Sequence, residues 1–150
     1  MRSTVDWEGK TYRLYKNKIA IIGHTRGIGK AIAFKLAENY RLILTGRRKD
    51  RLKEIQKELL ERFNAEVFVL NFDIRIKDEV YQAIESLPEE WKTIHILVNN
   101  AGWTTLVPHG DLEALTDEIF ERTFEVNVFG TWQLTKMAMP HLLKSEDGNV

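Results

Sequence analysis

A glycine-rich turn between an apolar run and a helical pattern is the feature that most constrains how this chain can fold. Residues 19–22 (IAII) form an unbroken apolar run, which is typical of a strand buried on both faces of a parallel sheet. The glycines that follow are spaced G-x-x-x-G-x-G, at Gly23, Gly27 and Gly29. The apolar residues of the next segment recur with helical periodicity, at Ile28, Ile32 and Leu36. We therefore predict a strand, a tight turn and a helix, as in the first half of a nucleotide-binding βαβ unit.

The chemistry of phosphate binding explains why glycines are needed at this turn. They allow a tight turn, a close approach of the backbone to a pyrophosphate, and close packing of the helix on the strand. The helix N-terminus offers free N–H groups and the positive end of its dipole to the phosphates. An ordinary tight turn is the alternative interpretation of the glycines alone. The residues predicted to bind a cofactor here are Gly23, Thr25, Arg26, Gly27, Ile28 and Gly29.

Length and composition exclude several classes of protein. The 150 residues predict one domain, and the balance of 22 basic and 22 acidic residues gives no indication of a nucleic-acid or membrane partner. The chain has no cysteine, and its four histidines are scattered without the spacing of metal ligands, so we predict no disulfide and no metal site. We find neither a signal peptide nor an apolar run long enough to cross a bilayer, and we therefore expect a cytoplasmic protein.

The end of the second predicted strand indicates which nicotinamide cofactor the chain would prefer. Residues 41–45 (RLILT) read as a strand, and Arg47 follows without an acidic neighbour. An acid near this position binds the ribose 2′-hydroxyl of NAD, whereas an arginine accommodates the 2′-phosphate of NADP. Arg26 in the glycine turn could approach the same phosphate. The alternative is a solvated helix start, although cations there oppose the helix dipole. The sequence therefore favours NADP over NAD.

The rest of the chain alternates between helical and strand patterns, which predicts an α/β fold with a Rossmann-type, doubly wound parallel sheet. With the strands numbered along the chain, we expect their order across the sheet to be 3-2-1-4. We also expect the sheet to be truncated at the start of the fifth strand. Residues 1–17 are interpreted as an extension and residues 18–150 as an incomplete domain. The predicted later elements are helix 50–63, strand 65–70, helix 76–87, strand 94–98, a long helix from Thr116 to about Lys144 that Gly130 and Pro140 could bend, and a turn at 147–150.

Three further polar motifs follow predicted strands or lie in the long helix. Asp73 follows the third strand, where it could also simply cap or turn the chain. The run N-N-A-G at residues 99–102 lies at the carboxyl end of the fourth strand, where open α/β sheets bind their ligands. Asn127 begins the run N-V-F-G and could instead be a solvent-facing helical residue.

Together these motifs resemble the short-chain dehydrogenase/reductase family. The glycine turn matches the family pattern T-G-x-x-x-G-x-G except that Ile22 replaces the threonine, and N-N-A-G and N-x-x-G are matched in full. The resemblance implies that Asp73 binds the adenine amino group, that Ile74 lines the adenine pocket, and that Asn127 belongs to the catalytic tetrad by holding a proton-relaying water. The segments TGRRKDRLKEI and SLPEEWKTIHILVNNAG resemble the NADP-dependent 3-hydroxy acid (serine-type) dehydrogenases. The cofactor-binding residues of the fourth-strand motif would be Asn100, Ala101 and Gly102.

The family's reaction is a reversible hydride transfer between the nicotinamide and an alcohol or carbonyl substrate. Its catalytic serine and its Y-x-x-x-K pair follow the fifth strand, and neither is found in this sequence. Tyr12 and Lys16 have that spacing, but they precede the first strand and are not interpreted as catalytic. The expectation is therefore an NADP-dependent oxidoreductase, homo-oligomeric at full length. A non-catalytic NADP-binding module and a subunit of a split or inactive enzyme are the alternatives.

Overall fold

A computed structural model of the protein describes residues 3–5, 11–13, 18–23 and 27–150. The strands are β1 (Ser3–Val5), β2 (Thr11–Arg13), β3 (Ile19–Gly23), β4 (Arg41–Gly46), β5 (Val67–Asn71) and β6 (Ile96–Val98). The helices are α1 (Gly27–Leu36), α2 (Lys49–Phe63), α3 (Lys77–Glu85), α4 (Asp117–Phe124) and α5 (Thr131–Leu142), with a 3₁₀ turn at Glu89–Trp91 and a π-helix at Glu125–Gly130. Within the predicted extension, β1 and β2 pair with each other in antiparallel fashion.

The central sheet has four parallel strands in the order β5-β4-β3-β6. This order confirms the predicted Rossmann topology. The sheet is centred on β3, where Ile21 pairs with Ile43 of β4 on one side and with Leu97 of β6 on the other. Because β3 has neighbours on both sides and helices on both faces, all five of its residues are buried. A continuous apolar run is the sequence signature of such a strand.

Alternate residues of β3 enter two separate hydrophobic cores. Ile19 and Ile21 pack into the core under α3 and α5, whereas Ala20 and Ile22 pack into the core under α1 and α2. This division follows from the two-residue period of a strand. The helical contributors to the first core are Val80, Ile84, Leu134, Ala138 and Leu142. Those to the second are Ala33, Leu52, Ile55 and Leu59, and Ala37 joins this core just after the end of α1.

The buried face of α1 differs from the predicted apolar stripe. Gly29 and Ala33 are the buried residues within the helix, while Ile28 is 71% exposed. Small side chains let α1 lie close to the sheet, so that the larger residues Ile32 and Leu36 are only partly buried at the edge of the contact. The apolar residues that reveal the helical periodicity of α1 therefore do not all face the core.

Two element boundaries differ from the predictions for identifiable reasons. The strand predicted from residue 94 begins at Ile96, because the N–H of Ile94 donates to the carbonyl oxygen of His141 at the end of α5 (3.1 Å). The predicted long helix is interrupted by the π-helix Glu125–Gly130, and Pro140 lies within the last turns of α5 without ending it. Thr116 occupies the predicted N-cap position of α4, but its side chain makes no capping hydrogen bond there.

An isolated parallel bridge links the segment after α5 to β6. Asn149 forms a parallel bridge with Ile96, its N–H donates to the carbonyl oxygen of His95, and its carbonyl oxygen accepts from the N–H of Leu97, each at 2.9 Å. This bridge lies where the sequence predicts that a fifth strand would begin. Among the residues that the structure describes, no helix has both the length and the apolar character required to cross a membrane.

The buried imidazole of His141 predicts a pH-dependent stability. Its Nδ1 lies 3.1 Å from the carbonyl oxygen of Lys92, and burial lowers the pKa of the ring below its ordinary value of 6.5 despite that hydrogen bond and the nearby Glu85. The unfolded chain therefore binds the proton more tightly than the folded chain, so the free energy of unfolding should fall as the pH drops below about 6.5. Urea unfolding at about pH 7 and about pH 5 measures this loss.

Two variants isolate the contribution of this histidine. His141→Asn can still donate a hydrogen bond to the carbonyl but cannot titrate, so its stability should change less than that of the wild type over this pH range. His109→Asn removes an exposed histidine and should leave the wild-type dependence unchanged. An equal pH dependence in the wild type and in His141→Asn would contradict the prediction.

Candidate functional site

A cleft lies at the carboxyl ends of β4, β5 and β6. It encloses about 530 Å³, its open mouth included. Ligands of parallel α/β sheets bind at this end, because the loops that follow the strands surround it there. The residues that line the cleft are Thr45, Gly46, Arg47, Phe72, Asp73, Ile74, Ala101, Gly102, Trp103, Arg122 and Val126.

The loop after β6 lies directly against the end of β3. The side-chain amide of Asn100 donates to the carbonyl oxygen of Gly23 (3.1 Å), and a Cβ atom on Gly23 would lie 3.2 Å from the backbone nitrogen of Ala101. The side-chain amide of Asn99 donates to the hydroxyl of Thr135 in α5 (3.0 Å). The two asparagines thus connect this loop to the central strand and to a helix, and the glycine allows the backbones to come close.

The glycine turn itself is only partly described. Gly27 has a φ of +50°, in the left-handed region that favours glycine, and Gly29 is buried in α1. Ile28 is exposed beside them. The predicted cofactor contacts of Thr25 and Arg26 lie outside the described residues and stay predictions.

Arg47 lies on the rim of the cleft, immediately after β4. Its side chain is 55% exposed, and its Nη1 is 4.0 Å from Oδ2 of Asp73. The guanidinium therefore remains accessible to a ligand while lying near a carboxylate. No contact in the structure tests its predicted role toward a 2′-phosphate.

Asp73 is held in place by a neighbour that the sequence analysis did not identify. Arg75 donates from Nη2 to Oδ2 (2.7 Å) and from Nε to Oδ1 (3.1 Å), and its backbone N–H also donates to Oδ1 (3.0 Å). The Arg75 guanidinium holds the pKa of the Asp73 carboxyl below its ordinary value. The backbone N–H of Asp73 donates to the carboxylate of Glu79 in α3 (2.8 Å). The D-x-R spacing in the turn after the strand is the sequence signal that could have predicted this pairing.

Asn127 lies in the π-helix and binds the main chain of the loop after β6. Its Oδ1 accepts from the N–H of Trp103 (2.7 Å), and its Nδ2 donates to the carbonyl oxygen of the same residue (2.8 Å). The residue is exposed, but both polar atoms of its amide have protein partners, unlike a freely solvated helical asparagine. Its side chain thus positions the loop. Its role in catalysis stays a prediction.

Ile74 joins the turn after β5 to the same π-helix. A Cβ atom on Gly130 would lie 3.0 Å from both Cγ atoms of Ile74 and 3.1 Å from the carbonyl oxygen of Glu125. The glycine of the N-x-x-G run therefore leaves the space that Ile74 fills, while another face of Ile74 lines the cleft.

Sequence reasoning missed several residues of the cleft. Trp103 and Arg122 contact each other, with the guanidinium carbon 4.6 Å from the ring centroid, which is within the range of a cation–π interaction. Arg122 and Val126 are four residues apart, so they share a helix face, which is the signal that could have paired them. Nothing in the sequence indicated that this face meets Trp103. The remaining unpredicted lining residues are Thr45, Gly46 and Phe72.

A comparison with known families agrees with this geometry. A sequence profile of the short chain dehydrogenase family matches residues 17–150. The chain belongs to this family. The resemblance seen in the glycine turn, in N-N-A-G and in N-x-x-G is thereby confirmed. Among the described residues, no group of histidines, cysteines or carboxylates is arranged to hold a metal ion.

Relatives within the family include proteins whose names specify NADP. The NADP-dependent 3-hydroxy acid dehydrogenase of Schizosaccharomyces pombe is 31% identical over 147 residues, which cover 92% of this chain and 53% of that protein. An alcohol dehydrogenase from the archaeon Thermococcus sibiricus, complexed with 5-hydroxy-NADP, has a TM-score of 0.78 at 34% identity, covering 85% of this chain and 54% of that one. Serine dehydrogenase from Escherichia coli has a TM-score of 0.76 at 27% identity, covering 87% and 58%. The chain thus spans about half the length of these relatives.

Removal of the Asn127 amide should release the main chain at Trp103. In Asn127→Ala the N–H of Trp103 loses its acceptor, so its hydrogen exchange should become faster and the protein should lose about 1–2 kcal/mol of stability. Exchange followed by NMR measures the first effect and urea unfolding the second. Asn127→Asp is the matched control, because it keeps the acceptor and should retain most of the protection of that N–H. Unchanged exchange in Asn127→Ala would contradict the positioning role.

A methyl group at Gly130 should destabilise the contact between the turn after β5 and the π-helix. Overpacking against Ile74 and the Glu125 carbonyl costs about 1–3 kcal/mol, and the better helix propensity of alanine returns up to about 1 kcal/mol. We expect Gly130→Ala to unfold at a lower urea concentration than the wild type. Gly110→Ala is the control, because a Cβ there has no atom within 4 Å. Equal stability of the two variants would show that Ile74 moves aside at no cost.

Proposed function

We propose that the chain forms the cofactor-binding part of an NADP-dependent oxidoreductase, which transfers hydride between the nicotinamide and an alcohol or carbonyl substrate. The observation that carries the proposal is the cleft at the carboxyl ends of the strands, which brings together Arg47, Asp73 and the N-N-A-G loop. These groups come from separate loops along the chain, and they meet where this class of sheet binds nucleotides.

The residues at the end of β3 fit a phosphate-bearing cofactor. A Cβ atom on Gly23 would lie 3.2 Å from the backbone nitrogen of Ala101, so only glycine allows this close approach, and α1 begins at the positive-φ residue Gly27. The N-terminus of α1 and the adjacent backbone would bind the pyrophosphate. Gly29, together with Thr25, Arg26 and Ile28, belongs to the same proposed phosphate-binding turn.

The proposed roles of the cleft residues follow their positions. Arg47 would bind the 2′-phosphate, Asp73 and Ile74 would contact the adenine, and the backbone at 100–102 would lie along the cofactor. The bound nicotinamide would supply the hydride chemistry, whereas the protein supplies binding and orientation. Asn127 would contribute to proton relay as the family resemblance implies. Its hydrogen bonds to Trp103 support a contribution through the position of that loop.

The relatives support the choice of cofactor. The S. pombe relative is named as NADP-dependent, and the T. sibiricus enzyme is complexed with a derivative of NADP. Because the chain spans about half of each, the activity and substrate of the whole protein remain part of the proposal. The substrate class is an alcohol or carbonyl compound.

We also propose that the full-length protein is a homo-oligomer. An exposed apolar row follows the outer face of α4, the π-helix and α5. Its members, each about half exposed, are Phe120, Phe124, Val128, Phe129 and Trp132. An exposed row of large apolar side chains is typical of protein–protein contacts.

Charge reversal at Arg47 tests the proposed cofactor preference. Arg47→Asp should weaken NADPH binding by roughly 100-fold or more, because it replaces an attractive contact with the 2′-phosphate by a repulsive one. NADH binding should weaken much less, because its ribose carries a hydroxyl group there. Dissociation constants for both nucleotides, measured by titration of nicotinamide fluorescence, check this prediction.

The control for this experiment has the same change in net charge at a distant position. Lys53→Asp alters an exposed residue in the middle of α2 that does not line the cleft. It should leave the ratio of the two dissociation constants near the wild-type value. Equal loss of NADPH and NADH binding in Arg47→Asp would contradict the assignment of Arg47. A wild-type protein that binds neither nucleotide would overturn the proposed function itself.

A further inference from the structure

An ion-pair cluster occupies the corner of the cleft between β4 and β5. At its centre, the Asp73 carboxylate lies between two guanidinium groups. Arg75 forms a bidentate contact with it, from Nη2 to Oδ2 at 2.7 Å and from Nε to Oδ1 at 3.1 Å. Nη1 of Arg47 lies 4.0 Å from Oδ2. Arg75 also reaches Glu125 of the π-helix, with 4.0 Å between Nη1 and Oε2. The cluster therefore contains one tightly paired cation and one loosely associated cation.

The difference between the two arginines matters for the electrostatics of the cleft. The side chain of Asp73 is only 15% exposed, and that of its partner Arg75 is 32% exposed. The side chain of Arg47, at the rim of the cleft, is 55% exposed. If Arg75 were absent, Arg47 would be the remaining cation in contact with Asp73 among the described residues. A carboxylate 4.0 Å from a guanidinium offsets much of the field that an approaching anion would feel.

The charges at this corner balance only because Arg75 is present. Six charged residues in the described part of the chain line the cleft or contact Asp73 or Arg75. Three are positive (Arg47, Arg75 and Arg122) and three are negative (Asp73, Glu79 and Glu125). Loss of Arg75 would leave a net negative corner. A phosphate monoester carries close to two negative charges near neutral pH, so it would be disfavoured there far more than a hydroxyl group.

We propose that Arg75 is a specificity-determining residue that neutralises Asp73 and so leaves the charge of Arg47 available for the 2′-phosphate of NADP. The inference rests on the proposed function, and it adds a residue that touches the carboxylate rather than the cofactor. Asp73 can then remain ionised at the adenine end of the cleft without weakening the phosphate contact. The bidentate geometry suits arginine, because its planar fork matches both carboxylate oxygens.

A purely structural role of Arg75 would give a different result. Arg75 and Ile74 both join the turn after β5 to the π-helix, so their loss could loosen the cleft. Loosening would weaken NADPH and NADH binding by similar factors, because the two nucleotides share the adenine, the pyrophosphate and the nicotinamide. The charge effect instead changes the ratio of the two dissociation constants. It should also become smaller as the salt concentration rises.

The experiment measures the dissociation constants of NADPH and NADH for the wild type and for Arg75→Gln, at low and at high salt. We expect Arg75→Gln to reduce the preference for NADPH by roughly 5- to 30-fold at low salt, and by less at high salt. Arg75→Lys keeps the charge but loses the fork, so it should retain most of the preference. The double variant Arg75→Gln/Glu125→Gln restores the charge balance and should recover most of the wild-type ratio.

A neighbouring cation provides the matched control. Lys77→Gln removes one positive charge from an exposed residue two positions along the chain, where no contact with Asp73 exists. The inference is overturned if Lys77→Gln changes the ratio as much as Arg75→Gln, if Arg75→Gln weakens both nucleotides equally, or if it changes neither. Thermal unfolding of each variant separates these outcomes from misfolding. A wild-type protein without a preference for NADPH would overturn the proposed function, and this inference with it.

Discussion

The pairing of β3 on both of its edges is the interaction on which the rest of the structure depends. Its backbone is bonded to β4 and β6, and its side chains alternate between two cores, with Ile21 entering one and Ile22 the other. Each helix layer is therefore held against the same strand. Because β3 ends at Gly23, the position of that glycine is set by both cores. The Asn100 loop and the start of α1 are built around this point, so the geometry of the cleft follows from the packing of the sheet.

The other side of the cleft depends on the π-helix. An extra residue in a helical turn changes which side chains face inwards, and π-helical turns are frequent at functional sites. Here the π-helix presents Asn127 to the main chain of Trp103 and Gly130 to Ile74. The loops after β5 and β6 are thus connected through one short segment. The ion pair between Arg75 and Glu125 adds an electrostatic contact to the same connection.

Much of the fold, and part of the site, could be predicted from local patterns. The apolar run of β3 and the periodicity of α2 depend on burial and period alone, and both elements occur where they were expected, within a residue or two. Arg47 and Asp73 could be placed at the cleft because each follows a strand within two residues, and strand ends meet at one edge of a parallel sheet. The exposure of Ile28 was not predictable in this way. It depends on how closely the glycine and alanine face of α1 approaches the sheet.

By itself, the sequence determined the parallel sheet and the set of loops that meet at its carboxyl edge, because these depend on short-range patterns and on right-handed βαβ connections. The strand order was predicted from the Rossmann class that the glycine turn indicates. Only the tertiary structure decided which side chains of those loops touch. It decided that Arg75 pairs with Asp73. It also decided two contacts between separate elements: Asn127 is hydrogen-bonded to the main chain of Trp103, and Arg122 lies over the indole of the same residue. Such contacts have no periodic signature, because they form only after packing has fixed where the elements end.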